Sequence, residues 1–583
     1  MGSIVGWLSY GTDLTEEPAA IMRLAGEDTD SWVTPRLALA ARPRSIRSLR
    51  TPGGVVAVGL SGQLQNRGPL GETLRQRSRS VTDDDADLVL HNHLAWGESM
   101  PERLDGIFAI AIWDERDQRL TLVRDRFGVE ALYYYPLDDG VVFGSDPSAL
   151  FSHDRVRRQV DLKSMRDIFT FTTPRHTSPW RNLFQVEPGG TVTVTADGVR
   201  SRPYWRLATR THTDDRQATV AHVRERLTTV LRQQLSDMAP CIMLSGGLDS
   251  SAMVGIAATQ LDGAETLHTF SVDFADPAGG AMDAPFARDV ARLVGSDHRR
   301  LEFGWRQLAA PDLRRKMIVA RGGPMSWGDG DISLYLAFTE IHRSFDAVLT
   351  GDCADAVFGF PPSLQQRALE ARTIAWQETN ACEFWAASLR PDVRKALDLP
   401  QHRREEYERA VAEVEHLPGA DALERRMREV NYLDLCWHTR VVLDRRDRIA
   451  RLTGLNVRVP YCDRELVEYM YNVPWSLKTF DGREKSVLRH AVLDVIPESV
   501  AQRSKRGYPL TMDARYAAAL QDQGKEILAD PYSPVFAIVD QGWLEWAVQA
   551  PIPEESPSLR FGLDRALDLY HWLDLYEPEL LLD

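Results

Sequence analysis

Hydrophobic and polar positions fall into two regimes along the chain. In the first, short apolar runs such as "GGVVAVGLSG", "GIFAIAIWD", "RLTLVRDRF", "ALYYYP" and "GVVFGSD" are separated by Gly, Asp and Pro turn signals. Each run reads as a strand, and "IVGWLSY" at the start reads as another. "IFAIAIWD" and "QRLTLVRD" flank the polar turn "ERDQ", which predicts a hairpin. One helical stretch, "DADLVLHNHLAWG", interrupts the series. Many short strands with few helices predict a layered β-sheet domain over residues 1–208.

The polar stretch "LATRTHTDDRQAT" reads as a linker, and beyond it the period changes. "TVAHVRERLTTVLRQQL" is amphipathic at helical spacing, and "PCIMLS" is a short apolar strand. "SAMVGIAATQL" is a helix, "LHTFSVDF" a strand, "APFARDVARLVG" and "YLAFTEIHRSF" helices, and "DAVLTGD" a strand. This alternation predicts parallel β-α-β units, with ligands at the carboxyl ends of the strands. Polar-faced segments such as "LERRMREVNYLDLCW" make the remainder helical. The second domain spans 209–583, and the chain as a whole is α/β.

Composition narrows the function. At 583 residues, with 43% hydrophobic and 26% charged positions, the chain is ordinary globular protein. Its net charge of −15 disfavours a nucleic-acid partner, which calls for a basic domain. Cys241, Cys353, Cys382, Cys436 and Cys462 form no CxxC pair, and an odd count suits a reducing compartment better than a disulfide framework. No transmembrane run and no signal peptide stand out, and Gly6 spoils a myristoylation signal on Gly2. The expectation is a cytoplasmic protein without integral membrane association.

The most informative residues are "SGGLDS", Ser245 to Ser250, between an apolar strand and an apolar helix. Gly246 and Gly247 let backbone approach an anion, and the helix that follows offers free N–H groups and the positive end of its dipole. No Gly-Lys-Ser/Thr follows, so this is not a Walker loop. Two glycines alone would also suit an ordinary strand-to-helix turn. Two serines and an aspartate in this setting favour phosphate.

"SGGLDS" resembles the pyrophosphate loop of ATP pyrophosphatases, which split ATP between its α- and β-phosphates. The resemblance extends to asparagine synthetases through "TGDCADAVFGF", "LNVRVPYCDRELVEY" and "LKTFDGREKSVLR". In the N-terminal half, "ERLDGIFAIAIWD", "VRDRFGVEALYYY" and "EPGG…YW" are similar to their glutaminase domain. It implies an Ntn-hydrolase-like glutaminase-type layered domain, then a Rossmann-like ATP-pyrophosphatase domain with a helical C-terminal part. The loop Ser245, Gly246, Gly247, Leu248, Asp249 and Ser250 would hold ATP, with backbone of Leu244, Val272 and Gly351 around the adenine. Asp249 and Asp355 would share Mg²⁺ with the phosphates, since two carboxylates facing a triphosphate need a cation between them. Lys485 and Lys505 would stabilise the developing charge, although either alone would also suit a solvated surface.

The departures from that family are chemical. Glutamine-using synthetases expose a cysteine after Met1, whereas Gly2 stands here and no cysteine precedes Cys241. Without a thiol no glutaminyl acyl-enzyme forms. "SGQLQN" replaces "NGEIYN". Asp352, Cys353, Ala356 and Asn456 replace the family's residues beside the nucleotide loop. β-Lactam synthetases and lasso peptide cyclases also lack the cysteine, and "NVPWSLKTFDGREKS" and "KRGYP" look most like the cyclases. That resemblance implies a precursor or core peptide as substrate, with a leader peptidase and a leader-binding protein as partners. The amine that attacks must shed a proton. Asp352 is the candidate acceptor and Asp444 the second, though either also suits a structural salt bridge. A β-lactam synthetase, an ammonia-dependent asparagine synthetase and a silent scaffold remain the alternatives.

Overall fold

The computed structural model describes residues 4–17, 20, 23, 29–77, 80–170, 178–261, 265–275, 283–359, 369, 381–552 and 558–582. Gly2 and Phe360, the end of "TGDCADAVFGF", therefore lie outside the described residues. Two compact units emerge. One comprises Met1–Ser164, Thr173–Arg206 and Pro578–Asp583; the other comprises Met165–Thr172 and Leu207–Glu577.

The first unit is built on two six-stranded antiparallel sheets. One runs in the order Phe184–Gln185, Tyr133–Leu137, Gly140–Gly144, Ile4–Ser9, Leu37–Ala41, Asp30–Val33. The other runs Gly198–Pro203, Gly190–Thr195, Arg119–Arg124, Gly106–Asp114, Gly54–Leu64, Ile46–Thr51. The strand "GIFAIAIWD" explains the layering. Ala109, Ala111 and Trp113 join a core with Ile4, Leu8, Leu37 and Leu39 of the first sheet. Phe108, Ile110 and Ile112 face the other way, onto Leu70, Leu74, Leu88 and Leu90 of two helices. Both faces are buried, so the strand reads as one continuous apolar run. The hairpin expected at "ERDQ" is present, with Ala109 opposite Arg124 and Asp114 opposite Arg119. The chain's last strand, Glu579–Leu581, pairs in parallel with Gln159–Asp161 in this same unit.

The second unit contains a five-stranded parallel sheet. Its order is Asp297–Phe303, His268–Phe274, Cys241–Met243, Ala347–Leu349, Asn456–Arg458. Numbered along the chain this order is 3-2-1-4-5, so the winding reverses between Cys241–Met243 and Ala347–Leu349. A crevice opens there at the strand carboxyl ends. Two of these strands escape the sequence pattern. Asp297–Phe303 is an edge strand whose Asp297, Arg299, Arg300 and Glu302 are exposed, a charged edge that resists pairing with other chains. Asn456–Arg458 is only three residues long and stands between helices.

The helices Ala422–Leu433 and Thr439–Thr453 are joined without a break by the turn Asp434–His438. The Thr439 N–H bonds the carbonyl of Asp434, five residues back, so this turn is wider than an α-helical one.

Candidate active site

The anion cradle follows the strand Cys241–Met243 and opens the helix Leu248–Ala258. Gly246 has φ +71°, and a Cβ there would lie 2.5 Å from the amide nitrogen of Ala287. Only glycine fits. Gly247, at the helix N-cap with φ −80°, has no atom but Ser245 Oγ near its Cβ position, at 3.3 Å. Two serines close the loop: the Ser245 N–H donates to Ser250 Oγ at 3.1 Å, and the two hydroxyls stand 3.0 Å apart. Arg503 pairs with Asp283 and stacks 4.2 Å over the Phe286 ring. Leu248 begins the helix. Gly351 lies against it, with its Cβ position 3.4 Å from the Ser250 nitrogen and 3.5 Å from Asp249 Cβ. The Leu244 N–H donates to the carbonyl of Phe270 at 2.7 Å, and Val272 lies two residues further along that neighbouring strand.

Four charged side chains meet beside the cradle. Lys485 Nζ stands 2.5 Å from Asp249 Oδ1 and 2.7 Å from Asp355 Oδ1. Lys505 Nζ stands 3.3 Å from Asp249 Oδ2 and 2.7 Å from Asp355 Oδ2. Each carboxylate sits in the first turn of its helix, where the helix dipole favours negative charge. Desolvation works against the charged Asp355, but Lys485 and Lys505 outweigh it and hold its carboxyl well below the usual range. Burial likewise opposes the Lys505 charge, and Asp355 and Asp249 more than compensate, raising it. The backbone at Lys485 is set by its own turn. Asp481 accepts from the Arg483 N–H at 3.0 Å and from Ser486, and Lys485 itself adopts φ +55°. A non-glycine residue in that region costs about 1–3 kcal/mol and tends to mark functional sites.

Two carboxylates that converge on the same two ammonium groups can also converge on one divalent cation. Among the described residues no cluster of three or more His, Cys, Asp or Glu suits a metal. A pair of carboxylates is a donor set that would suit Mg²⁺, which takes one or two carboxylates and completes its shell with phosphate oxygens and water.

Asp352 accepts from Thr350 Oγ1 at 2.8 Å and lies 3.2 Å from Arg446 Nε, the ion-paired arrangement. Asp444 is bound by Arg448 at 2.8 Å and lies 3.5 Å from Arg321. Asn456 opens its strand, at the end away from the cradle. Cys353, at φ +76°, is bonded to Cys462, with Cα atoms 6.2 Å apart. This corrects the expectation of unpaired thiols: adjacent strands, Ala347–Leu349 and Asn456–Arg458, deliver the two cysteines to one place although 109 residues separate them.

Sequence reasoning passed over other groups here. Tyr461 donates its hydroxyl to the carbonyl of Asp249 at 2.8 Å. Asp434, 2% exposed on the wide turn, has its carboxyl raised well above the usual range by burial and then by the charge of Asp355, with Lys485 and Lys505 opposing. Burial also pushes His438 down to about 4. The motif "YLDLCWH" carries these last two, at the first and last positions of the widened turn.

An anion cradle at the switch point of a parallel sheet, with carboxylates and lysines converging on it, defines a nucleotide-using ligase. Residues 222–571 match the asparagine synthase family, and residues 1–205 match the glutamine amidotransferase domain. The chain belongs to the asparagine synthase family, and its chemistry is ATP-dependent formation of an amide bond. It is 29% identical over 575 residues to asparagine synthetase [glutamine-hydrolyzing] 3 of Bacillus subtilis, covering 94% of this chain and 93% of that protein. It is 23% identical to asparagine synthetase [glutamine-hydrolyzing] 1 of the same organism, over 77% of this chain and 75% of that one. Amidase chry2 of Gibberella zeae is 24% identical, over 78% of this chain and 77% of its own length. No helix among the described residues is long and apolar enough to cross a membrane.

Proposed function

We propose that this chain is a lasso peptide cyclase, closing a macrolactam between the N-terminal amine of a leaderless peptide and an Asp or Glu side chain. The observation that carries the reading is a division within the sequence. Residues 1–205, over which the amidotransferase domain matches, contain no cysteine, while the cradle, both carboxylates and both lysines of the ligase domain are in place. A domain without a thiol nucleophile releases no ammonia from glutamine, so the nitrogen must come from elsewhere. An amine on the substrate itself meets that need.

In the proposed sequence a carboxylate oxygen of the peptide attacks the α-phosphorus of ATP and pyrophosphate leaves. The amine then attacks the acyl-adenylate carbon, AMP leaves, and one proton is lost from nitrogen. Mg²⁺ bound by Asp249 and Asp355 would neutralise phosphate charge. Gly246, Gly247 and the Leu248–Ala258 N-terminus would bind the phosphates through backbone N–H groups. Lys485 and Lys505 would exchange their carboxylate partners for phosphate oxygens, where a fixed positive charge stabilises the charge that develops. Asp352, oriented by Arg446 and Thr350, is assigned to the proton on the amine. We place the enzyme in the cytoplasm, working with a leader peptidase and a leader-binding protein.

Purified chain, Mg²⁺ and ATP are incubated with leaderless peptides bearing a free amine and a side-chain carboxylate several residues on. Loss of one water from a peptide, detected by mass spectrometry, supports the reading. The full-length similarity to a glutamine-hydrolyzing asparagine synthetase favours the second reading, an ammonia-dependent asparagine synthetase. Asparagine formed from aspartate and ammonia, with the peptides unchanged, would select that reading and reject the first.

A further inference from the structure

Asp355 is carried by a helix of only five residues, Ala354–Phe358. So short a helix has no stability of its own, and its last carbonyls lack helical partners. Two buried side chains supply them. Asn431 donates from Nδ2 to the carbonyl of Ala356. Lys478 Nζ donates to Asn431 Oδ1 at 2.7 Å and reaches the Val357 carbonyl at 3.4 Å. Both side chains are shut off from solvent, Lys478 at 2% exposure and Asn431 at 3%.

The clamp is itself anchored. Asn431 belongs to the helix Ala422–Leu433, and Lys478 ends the short helix Trp475–Lys478. The Trp475 N–H donates to Glu424 Oε2 at 2.9 Å, which ties these two helices together about two turns before Asn431 on the longer one. Burial pushes the Lys478 amine down to about 7 against the opposing charge of Glu424. A lysine is an expensive residue to bury, and an apolar side chain would fill the same place at less cost. What this one holds is the end of the helix that presents Asp355.

We propose that Lys478 and Asn431 are positioning residues for the metal-binding carboxylate. By fixing the carboxyl-terminal end of Ala354–Phe358 they keep Asp355 facing Asp249, ready to share a divalent cation with a nucleotide. The inference rests on the reading of Asp355 as a Mg²⁺ ligand. Partners that hydrogen-bond a ligating side chain typically change metal affinity about 10–100-fold when replaced, and this clamp acts one step further back, on the helix that carries the ligand.

The test uses the full chain and α,β-methylene-ATP, titrated by calorimetry with Mg²⁺ and again with chelator. Lys478→Met should weaken binding at least about 10-fold in Mg²⁺ and leave binding in chelator unchanged. Asn431→Leu cuts the same clamp from the other side and should act in the same direction, which keeps the test decisive if Lys478→Met does not fold. Thermal melts report folding separately. Wild-type Mg²⁺ dependence in both folded variants overturns the clamp, and so does an equal loss with and without Mg²⁺. If wild-type binding were itself indifferent to Mg²⁺, the metal reading would fall first and take the clamp with it.

Discussion

The two cradle glycines should fail in different ways. In Gly246→Ala the new methyl must sit at φ +71°, 2.5 Å from the Ala287 nitrogen and 2.8 Å from Phe286 Cβ. The left-handed backbone costs about 1–2 kcal/mol. The overlap falls on the backbone of the helix Ala284–Val294, which cannot swing aside as a side-chain tip can, and adds about 1–3 kcal/mol. A total of about 2–5 kcal/mol is expected. In Gly247→Ala the backbone at φ −80° accepts alanine, and only Ser245 Oγ stands near, at 3.3 Å. That change should cost less than about 1 kcal/mol, most of it from a poorer N-cap. Its methyl nevertheless occupies the mouth of the cradle, so affinity for Mg·α,β-methylene-ATP should fall at least about 10-fold, or about 1.4 kcal/mol. Urea unfolding followed by tryptophan fluorescence gives the stabilities, and calorimetry gives the affinities. Gly246→Ala as stable as wild type, or Gly247→Ala the less stable of the two, would show that the left-handed backbone and the Ala287 contact do not govern the loop.

Three further outcomes follow from the same geometry. Asp249→Asn and Asp355→Asn should each abolish Mg²⁺-dependent pyrophosphate release while leaving a cooperative melt; release at the wild-type rate in either would remove that carboxylate from the site. Opening the Cys353–Cys462 bridge by Cys462→Ser should lower stability by about 2–4 kcal/mol under oxidising conditions, a difference that reductant erases in chemical denaturation. For Lys478, the folded value near 7 lies below the unfolded value of about 10.4, so between them the unfolded chain binds more protons. Its contribution to stability therefore rises from pH 7 towards 10 and is lost as pH falls through 7. Lys478→Met should flatten that slope relative to wild type, and parallel slopes for the two proteins would contradict the assignment.

The sheet layers were legible because buried strands leave short apolar runs between turn signals. "GIFAIAIWD" shows both faces of a covered strand, and "PCIMLS" before "SGGLDS" shows strand, turn and helix in the order an anion cradle requires. The carboxylates and lysines were legible through their motifs, and the structure brings all four within 3.3 Å contacts. What stayed hidden depends on tertiary approach. Asp297–Phe303 alternates too weakly to declare itself beneath its charges. Lys478 in "WSLK" reads as a solvated end of a helix, and nothing local says that Asn431 and the Val357 carbonyl will enclose it. Asp434 and Asp352 look alike in sequence. One is buried on a widened turn, and the other is paired with Arg446. The cysteine pair depends on the register of two parallel strands, which no count of cysteines reveals.

In the proposed reaction a peptide side-chain carboxylate is joined to AMP, at the expense of ATP, before an amine closes on it. A leaderless peptide carrying a heavy oxygen isotope in that carboxylate, incubated with enzyme, Mg²⁺ and ATP, follows that oxygen to its product. One AMP and one pyrophosphate are expected for each peptide that loses water, with the heavy oxygen found in the AMP phosphate. ADP as the nucleotide product, or AMP free of the label, would exclude an acyl-adenylate.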